Sequence, residues 1–373
     1  MSTATRSTER PAAPALVGLG NIGSHAVQLL PDLADVTHVD LIDPDRYAAS
    51  NLGGQRFSAK EVGCLKVLAQ ARALRALAPD IAVDTYACPI EAVPLGKLRG
   101  RAILSCVDSR SARQSINRIA TRLGLPWIDS GLDRAGSVRA RVYVPGSGDC
   151  LECSWGARDY ALLDQRLPCN AASSAAPPTA APAELGSIAA GLQVALLRSL
   201  LSAQSPADVG ELARKQWFLD VPSCRGWIGR YAPNPHCRFD HAQWVIEPLA
   251  RGAREVTLGE IFDLAGAEAR DAVFSVEARS IVRRVRCVKC GRVKEVGGRL
   301  LGRFPLAGCR RCGGSMMAAA TDACDALSRT TADAGWLDRP LAAFGLVDGD
   351  VFSLRVREAT IHHELGRAPA REA

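Results

Sequence analysis

The fold of this chain is decided by one short stretch, Leu16-Val17-Gly18-Leu19-Gly20-Asn21-Ile22-Gly23. It is a glycine fingerprint that ends an apolar strand and opens a helix. Such a turn directs backbone N–H groups and a helix N-terminus at a phosphate group. A carboxylate, Asp43, closes the next apolar run about 20 residues after Gly23, where a ribose-binding acid is expected. The stretch therefore predicts a nucleotide site at the first turn of a strand–helix–strand unit.

Strand patterns alternate with helix patterns from residue 15 to about residue 132. Such alternation argues for a mostly parallel sheet that is covered on both faces. The sequence therefore predicts an α/β fold with a Rossmann-like, doubly wound, mostly parallel sheet. The predicted strands are Ala15–Leu19, Val36–Ile42, Ile81–Ala87, Ala102–Val107 and Trp127–Gly131, and the predicted helices are Ile22–Leu33, Cys64–Leu77 and Ala112–Leu123.

Two local patterns refine this prediction. Residues 58–61, Ser-Ala-Lys-Glu, have the form of a capping box before the second helix. Residues 136–145 alternate apolar residues with Arg139, Arg141 and Tyr143. Period-two alternation predicts a strand with one buried and one wet face.

Composition divides the chain into three parts. Residues 1–14 lack the apolar stretch of a secretory signal peptide and are expected to be a disordered tail. Residues 15–248 form the predicted α/β domain. Its Ala- and Pro-rich segment 171–183 cannot build a core and predicts a crossing loop at about residues 169–184. Residues 249–373 are expected to form a smaller module with a β component.

Charge and cysteine content restrict the class of protein. The 373 residues carry a net charge of +7, which we interpret as spread along the chain and as a mild preference for small anions such as nucleotides, so that no nucleic-acid partner is expected. No apolar run reaches the length of a membrane span, and no secretion signal is recognisable. Thirteen cysteines, an odd number, therefore favour metal or thiol chemistry in a reducing cytoplasm over a disulfide framework.

Further polar residues follow the glycine fingerprint at characteristic places. Asp43-Pro44-Asp45 is followed by Asn51-Leu52-Gly53-Gly54-Gln55-Arg56, then by Lys66 on a helix, and Asp108 ends a later strand. With these motifs the chain resembles the ThiF/MoeB/HesA-like superfamily, the relatives of ubiquitin-activating enzymes. The resemblance covers residues 15–247, about two thirds of the chain. It implies Mg-ATP-dependent adenylation of the C-terminal glycine of a small ubiquitin-like protein.

The resemblance assigns roles to individual residues. Gly18, Gly20 and Gly23 would let the backbone approach the phosphates, and Asp43 would take the ribose hydroxyls. Asn51 and Lys66 would contact the phosphates. Asp108, at the carboxyl end of a strand, would hold Mg²⁺. Asp45 is interpreted as a turn residue, and Arg113 and Asn117, behind Asp108, are either site residues or structural ones.

One position departs from the family pattern. Members usually have Asn-x-x-Arg-Gln, and Gly54 stands here at the Arg position. Arg56 lies two residues further on and is the candidate to reach the same phosphate. Alternatively a dimer partner supplies an arginine from its N-terminal region, where Arg6 and Arg10 are the candidates.

A first metal site is implied by the resemblance at Cys150 and Cys153. The family pairs this Cys-x-x-Cys with a second cysteine pair after the crossing loop, and this chain offers Cys237 and His241 there. These four would form a structural Cys₃His zinc site. Cys224 or His236 is an alternative ligand, and buried thiols without metal are the competing interpretation.

A second metal site is predicted from spacing alone. Cys287-x-x-Cys290 and Cys309-x-x-Cys312 are separated by 18 residues, within the range of a zinc ribbon. A glycine follows each pair, as the tight turn of a metal knuckle requires. Four thiolates would close a structural zinc site. A redox dithiol, the alternative, does not need two matched pairs.

Cys169 is the candidate nucleophile. It lies beside the Ala- and Pro-rich loop, where the resemblance implies a cysteine that takes the acyl group as a thioester or acyl disulfide. A free thiol is strongly nucleophilic even when only a few per cent is ionised. The alternative is an ordinary loop cysteine.

These observations lead to one expected function and three alternatives. The expected protein activates a ubiquitin-like or sulfur-carrier protein in a bacterial conjugation system, using ATP, Mg²⁺ and one or two structural zinc ions. It would act as a cytoplasmic homodimer, with a ubiquitin-conjugating-like enzyme as a further partner. The C-terminal segment 341–356, with the pattern of a helix end, a turn and a strand, would dock one of these partners. The alternatives are a thiamine- or molybdopterin-type sulfur-carrier adenylyltransferase, an NAD-dependent oxidoreductase, and a degenerate scaffold.

Overall fold

The computed structural model describes residues 13–133, 135–147, 149–164, 182–302, 306, 308–318, 320–333 and 335–367. The chain divides into two units, one from residues 1–90 and 99–243 and the other from residues 91–98 and 244–373. The glycine-rich turn lies in the first unit. The paired cysteines of residues 287–312 lie in the second.

The described residues of the first unit form one sheet and six α-helices. Its strands are Ala13–Val17 (β1), His38–Ile42 (β2), Ala82–Tyr86 (β3), Arg101–Ser105 (β4), Trp127–Leu132 (β5), Ser137–Tyr143 (β6), Lys215–Asp220 (β7) and Arg225–Arg230 (β8). Its helices are Asn21–Leu29 (α1), Lys66–Leu77 (α2), Arg110–Leu123 (α3), Ala157–Asp164 (α4), Ala183–Leu201 (α5) and Pro206–Ala213 (α6).

The eight strands lie in the order β3-β2-β1-β4-β5-β6-β7-β8. Strands β1 to β5 pair in parallel, and Leu16 of β1 lies opposite both Leu41 and Leu104. All five residues of β1 are buried, as in a parallel sheet with helices on both faces. The strand order reverses between β1 and β4, the point at which open α/β sheets bind ligands. The predicted α/β class with a mostly parallel sheet is confirmed.

Helix α5 packs against α1 and against β5 and β6. Among the described residues it is the one helix long and apolar enough to cross a membrane by length and composition, so the expectation that no apolar run reaches that length needs correction. Its buried Gln193 donates hydrogen bonds to the carbonyl oxygens of Ser105 (3.0 Å) and Ile128 (2.9 Å) in the sheet. Burial against a sheet, with its polar side chain satisfied there, is the packing of a core helix.

Two local predictions need correction. The capping box at Ser58 belongs to a separate 3-10 helix, Ala59–Glu61, because the Ser58 side chain accepts from the N–H of Lys60, and α2 begins only at Lys66. The predicted wet face of β6 is wrong at Arg141 and Tyr143, which are both buried.

Long-range partners explain the burial on β6. The Arg141 guanidinium forms an ion pair with buried Asp149 and lies 4.1 Å from the ring centre of Tyr231. Tyr143 stacks on Trp127 of β5, with ring centres 4.4 Å apart. Alternation of apolar and polar residues alone predicts that this face of β6 is exposed to solvent. Charge pairing and ring stacking instead bury it.

In the second unit, the part that the structure describes holds two smaller sheets and one α-helix, Leu258–Asp263 (α7). Its strands are Ile246–Leu249 (β9), Val273–Ser275 (β10), Ile281–Cys287 (β11), Val293–Leu300 (β12), Met316–Met317 (β13), Ala323–Cys324 (β14), Ala326–Ser328 (β15), Val351–Val356 (β16) and Ala359–Leu365 (β17). One sheet has the order β15-β10-β16-β17-β9; in the other, β11 pairs with β12, β13 and β14. Across both units, 3-10 helices span Leu30–Asp32, Ala49–Asn51, Ala59–Glu61, Ile90–Ala92, Leu95–Leu98, Leu151–Ser154, Gly266–Glu268, Ala320–Asp322 and Leu341–Phe344.

The boundary between the two units lies at residues 243–244 and not at the predicted residue 248. That position lies within β9, which pairs in parallel with β17 and so belongs to the second unit. Residues 91–98 also join the second unit, because the N–H of Gly96 donates to the carbonyl of Gly349 and Arg279 donates to the carbonyl of Glu91. Helix α5 begins at Ala183, inside the expected loop of residues 169–184.

Candidate functional site

The three glycines of the fingerprint differ in what a side chain at each position would contact. Gly18 has φ +89°, and a Cβ there would lie 2.7 Å from the carbonyl oxygen of Cys106. A Cβ on Gly23 would lie 2.0 Å from the carbonyl oxygen of Gly18. A Cβ on Gly20 would have its nearest neighbour 3.9 Å away, and no side chain caps α1 there. Gly18 and Gly23 therefore allow close packing, whereas Gly20 leaves open the helix start, where an anion is favoured.

Asp43 lies at the base of this turn. Its carboxylate accepts hydrogen bonds from the N–H groups of Leu19 (2.6 Å) and Asp45 (2.7 Å). Burial raises the pKa of Asp43, and Lys66 and the two N–H donors oppose this rise. The carboxylate is thereby fixed at the end of β2, beside the open start of α1.

Lys66 lies at the first position of α2 and is 7% exposed. Its ammonium nitrogen lies 3.0 Å from the Asp45 carboxylate and 3.9 Å from the Asp43 carboxylate. A buried cation needs such a partner. Asp45, interpreted from the sequence as a turn residue, is therefore the close ionic partner of Lys66.

Asp108 is exposed just beyond β4. Arg113 holds its backbone: the guanidinium donates to the Asp108 carbonyl (3.5 Å) and to the buried Asp129 carboxylate (2.9 Å). Cys106, two residues before Asp108, lies directly beneath Gly18. The Asp108 turn therefore lies at the same edge of the sheet as the glycine turn, with Arg113 as its positioning residue.

The segment after Asp43 does not place its predicted phosphate ligands, Asn51 and Arg56, at the glycine turn. The Asn51 side-chain oxygen accepts from the N–H of Ala48 (2.9 Å) and so caps its own turn. The Arg56 side chain is exposed and donates to Gln28 (3.4 Å), seven residues along α1 from its first residue. The structure does not bring Arg56 to the start of α1.

Gln55 is the residue of this segment that faces the turn. Its side-chain nitrogen is the atom 3.9 Å from a Cβ at Gly20, and its oxygen is buried with no hydrogen-bond partner among the described residues. Such an unsatisfied group suits a polar ligand. Gln55 was not among the site residues predicted from the sequence, although it stands at the Gln position of the Asn-x-x-Arg-Gln pattern.

Three predicted residues lie outside the part of the chain that the structure describes. They are the candidate nucleophile Cys169 and the two candidate dimer arginines, Arg6 and Arg10. Their roles stay predictions.

The first predicted metal site assembles as a four-residue cluster. The sulfur of Cys150 lies 3.8 Å from that of Cys237 and 3.1 Å from Nε2 of His241, and the sulfur of Cys153 lies 3.5 Å from the same nitrogen. A zinc ion about 2.3 Å from each sulfur sets tetrahedral edges of about 3.8 Å. The donor set and its dimensions therefore fit zinc. The alternatives Cys224 and His236 do not belong to this cluster.

Helix α3 supports this cluster along its length. Buried Asn117 accepts from the N–H of Leu151, within the Cys150 turn (3.0 Å). Glu152, 1% exposed, accepts from Gln114 (2.8 Å) and Arg118 (3.3 Å). Asn117, left open by the sequence, is therefore a structural support of this cysteine–histidine cluster, the place that groups around metal ligands commonly take.

The second predicted metal site assembles from its four cysteines. Cys287 lies 3.5 Å from Cys312 and Cys290 lies 3.6 Å from Cys309, sulfur to sulfur. The N–H of Cys290 lowers the pKa of Cys287 to about 6. The pKa of Cys312 is raised to about 11, because the N–H of Gly314, which lowers it, is outweighed by hydrogen bonds with the Cys290 and Cys287 side chains. Thiolate is the form that binds zinc, so four cysteines at these distances fit a closed Cys₄ site.

Comparison with known proteins identifies a matching family and several similar proteins. The ThiF family matches residues 8–238. "Ubiquitin-like modifier-activating enzyme 5" of Oryza sativa subsp. japonica is 30% identical over 156 residues, 38% of this chain and 37% of that protein. The Rattus norvegicus protein of that name is 29% identical over 39% of this chain and 40% of its own. The Branchiostoma floridae protein of the same name is 24% identical over 76% of this chain and 72% of its own length.

The matched region spans about two fifths of the rice and rat relatives' length. Among solved structures, Escherichia coli MccB with succinimide is similar at TM-score 0.48 and 22% identity, over 61% of this chain and 66% of that one. The structure of MccB with ATP is similar at a TM-score of 0.47 and 21% identity, over 62% of this chain and 67% of the MccB chain. Since the family match spans well over half of the residues and contains the whole glycine-turn site, the chain belongs to the ThiF family.

Proposed function

We propose that this protein uses ATP to adenylate the C-terminal glycine carboxylate of a ubiquitin-like or sulfur-carrier protein. Membership of the ThiF family and the names of its relatives support the proposal. The observation that carries it is Lys66, whose ammonium lies between Asp43 and Asp45 at the carboxyl edge of the sheet. The Asp43 carboxylate also accepts from the N–H of Leu19, just before α1, so the ammonium lies near the uncapped start of that helix.

The proposed step joins two anions. An oxygen of the carrier's carboxylate attacks the α-phosphorus of ATP, the bond from that phosphorus to the bridging oxygen breaks, and pyrophosphate leaves with the electron pair. Positioning and charge neutralisation lower such a barrier. Lys66 would supply positive charge, and the start of α1 would supply N–H donors. Asp108 would hold Mg²⁺, which neutralises phosphate charge when it is bound.

ATP–pyrophosphate exchange in the presence of a carrier protein tests this step. Exchange by Lys66→Gln is expected to fall about 100-fold or more, the usual cost of losing one preorganised charge or donor in a transition state. Lys60→Gln is the matched control, because Lys60 is exposed outside the site. Undiminished exchange in Lys66→Gln, or equal loss in both variants, would refute the assignment.

Thioester formation is the proposed second step. The thiolate of Cys169 would attack the acyl carbon of the adenylate, AMP would leave, and the carrier would become attached through sulfur. A carrier adduct that is sensitive to reductant is expected on denaturing gels. The adduct should disappear in Cys169→Ala while pyrophosphate exchange continues. Its persistence in that variant would remove Cys169 from the mechanism.

A scaffold without turnover is the second candidate. It is favoured by Gly54 at the family's Arg position and by Arg56, whose side chain lies along α1. Calorimetric ATP binding without pyrophosphate exchange would support it. The same titration with NAD tests the oxidoreductase alternative, for which Lys66 and Asp108 have no evident use.

The biological setting is proposed on the resemblance alone. It would be a bacterial, cytoplasmic conjugation system with a homodimeric activating enzyme and a conjugating partner. The alternative carriers are those of thiamine or molybdopterin sulfur transfer.

A further inference from the structure

Positive charge is concentrated in one part of this chain. Residues 281–318 contain ten Lys or Arg and one acid, Glu295, a net charge of +9, whereas the whole chain carries +7. The charge is therefore not spread evenly along the sequence, and the expectation of no nucleic-acid partner depends on such a spread. Segregated charge of one sign signals a polyanion-binding surface.

The structure gathers three of these cations on the two cysteine knuckles. Lys289 lies in the first knuckle, and Arg310 and Arg311 lie in the second. The knuckles touch, because a Cβ on Gly314 would lie 2.8 Å from the Cβ of Lys289. The three side chains are exposed at the same end of the β11–β12 hairpin.

Three further cations flank the knuckles on the hairpin. Arg292 is tied to the first knuckle, because its carbonyl accepts from the N–H of Cys287 (2.8 Å). Arg286 lies opposite Val293, and Lys294 follows on β12. All six are exposed, and none forms an ion pair with a residue that the structure describes. We call them the ribbon cation cluster: Arg286, Lys289, Arg292, Lys294, Arg310 and Arg311.

The metal site offsets only part of this charge. With zinc bound, four thiolates and one Zn²⁺ carry a charge of about −2. Six cations therefore leave a surplus of about four positive charges at the metal end of the hairpin. Screening acts over about 8 Å at physiological ionic strength, so neighbouring cations on one such surface act together on an anion.

We propose that the ribbon cation cluster binds nucleic acid through its phosphates, without reading its sequence. Four of the six cations are arginines, whose planar fork suits phosphate oxygens. A polyphosphate meets such a surface in any register, whereas a folded acidic protein must match each cation with a carboxylate. The described residues of 281–318 offer no aromatic side chain for base stacking, so contact falls on the backbone.

Fluorescence anisotropy with the full-length, zinc-loaded protein tests the proposal. The probes are a fluorescein-labelled 20-base-pair DNA duplex and a 20-nucleotide RNA, each titrated over a series of NaCl concentrations. The double variant Arg310→Gln/Arg311→Gln is expected to bind at least tenfold more weakly. The slope of log affinity against log salt should become shallower by about two, because each removed arginine leaves one phosphate without a cation.

The matched control is Arg254→Gln/Arg270→Gln, which removes two exposed arginines of the same unit outside the cluster. Its affinity and slope should stay within twofold of the wild-type values. Zinc content measured on both variants shows whether the knuckles stay intact; if Arg310→Gln/Arg311→Gln loses zinc, Arg286→Gln/Lys294→Gln, outside the knuckles, replaces it.

Three results would overturn the proposal. They are no binding of either nucleic acid at low salt, equal weakening in the control variant, and binding of poly-L-glutamate as tight as that of the duplex. The last result would assign the cluster to an acidic protein.

Discussion

At the scale of single residues, Gly20 and Gly23 stand three positions apart and differ in what a methyl group would meet. In Gly23→Ala the new Cβ would overlap the Gly18 carbonyl oxygen, so backbone must move. We expect a loss of about 3 kcal/mol in the free energy of unfolding, measured with urea. Gly20→Ala has room, and its unfolding free energy should change by less than about 1 kcal/mol.

ATP binding, unlike stability, should depend on the space at Gly20. The methyl group of Gly20→Ala occupies the space at the start of α1, so ATP affinity by calorimetry should fall about tenfold in a stably folded protein. ATP affinity unchanged in Gly20→Ala would mean that the nucleotide binds elsewhere.

Gln55 and Arg56 are neighbours, and the structure separates their roles. The Gln55 side chain faces Gly20, whereas the Arg56 side chain reaches Gln28 on the flank of α1. We therefore expect Gln55→Ala to weaken ATP binding about tenfold, because a polar partner of the ligand is removed. Arg56→Ala should change it less than threefold. A large loss in Arg56→Ala alone would restore the sequence prediction that Arg56 replaces the arginine absent at Gly54.

At the scale of elements, strand β6 depends on one buried ion pair. Arg141 and Asp149 have side chains that are 3% and 2% exposed. Removing one partner leaves a buried charge, so Arg141→Met is expected to lower the free energy of unfolding by about 3–5 kcal/mol. The double variant Arg141→Met/Asp149→Leu should recover much of that loss in urea denaturation. A double variant as unstable as the single one would show that the pair does not act through charge.

The elements also show where prediction from sequence succeeds. Strands β1 to β5 and helices α1 to α3 were predictable, because apolar periodicity and the glycine turn are local signals. The buried face of β6 was not, since Arg141 is covered by Tyr231, about ninety residues away in the chain. Neither was the support that Asn117 gives to Leu151, which depends on how α3 lies against the turn at Cys150.

The candidate site divides in the same way. Spacing alone indicates where Gly18, Asp43 and the cysteines of residues 287–312 lie, because spacing fixes which end of an element a residue occupies. Lys66 and the pair Cys150 and Cys153 were proposed from the family resemblance. The link between Lys66 and Asp45 and the direction of the Arg56 side chain depend on side-chain packing, which no motif encodes.

At the scale of the whole molecule, three groups of described residues have metal-ligand geometry, but only two are free to take an ion. The third, His38, Asp40 and Asp84, already holds a cation: Arg101 donates to the Asp40 carboxylate at 2.5 Å. A guanidinium in contact with that buried carboxylate supplies the charge that a metal would bring. The sulfur-containing clusters have no such occupant among the described residues.

The structure therefore leads us to expect two zinc ions per chain, one in each unit. Elemental analysis should show the loss of one zinc in Cys237→Ser and of one in Cys312→Ser, because each removes a ligand from a different four-residue cluster. Cys224→Ser is the matched control: Cys224 is an exposed cysteine outside both clusters, and this variant should keep both ions. A third zinc, or a loss in Cys224→Ser, would contradict the assignment. Because zinc binding contributes directly to folding free energy, each ligand variant should also unfold at lower temperature than Cys224→Ser.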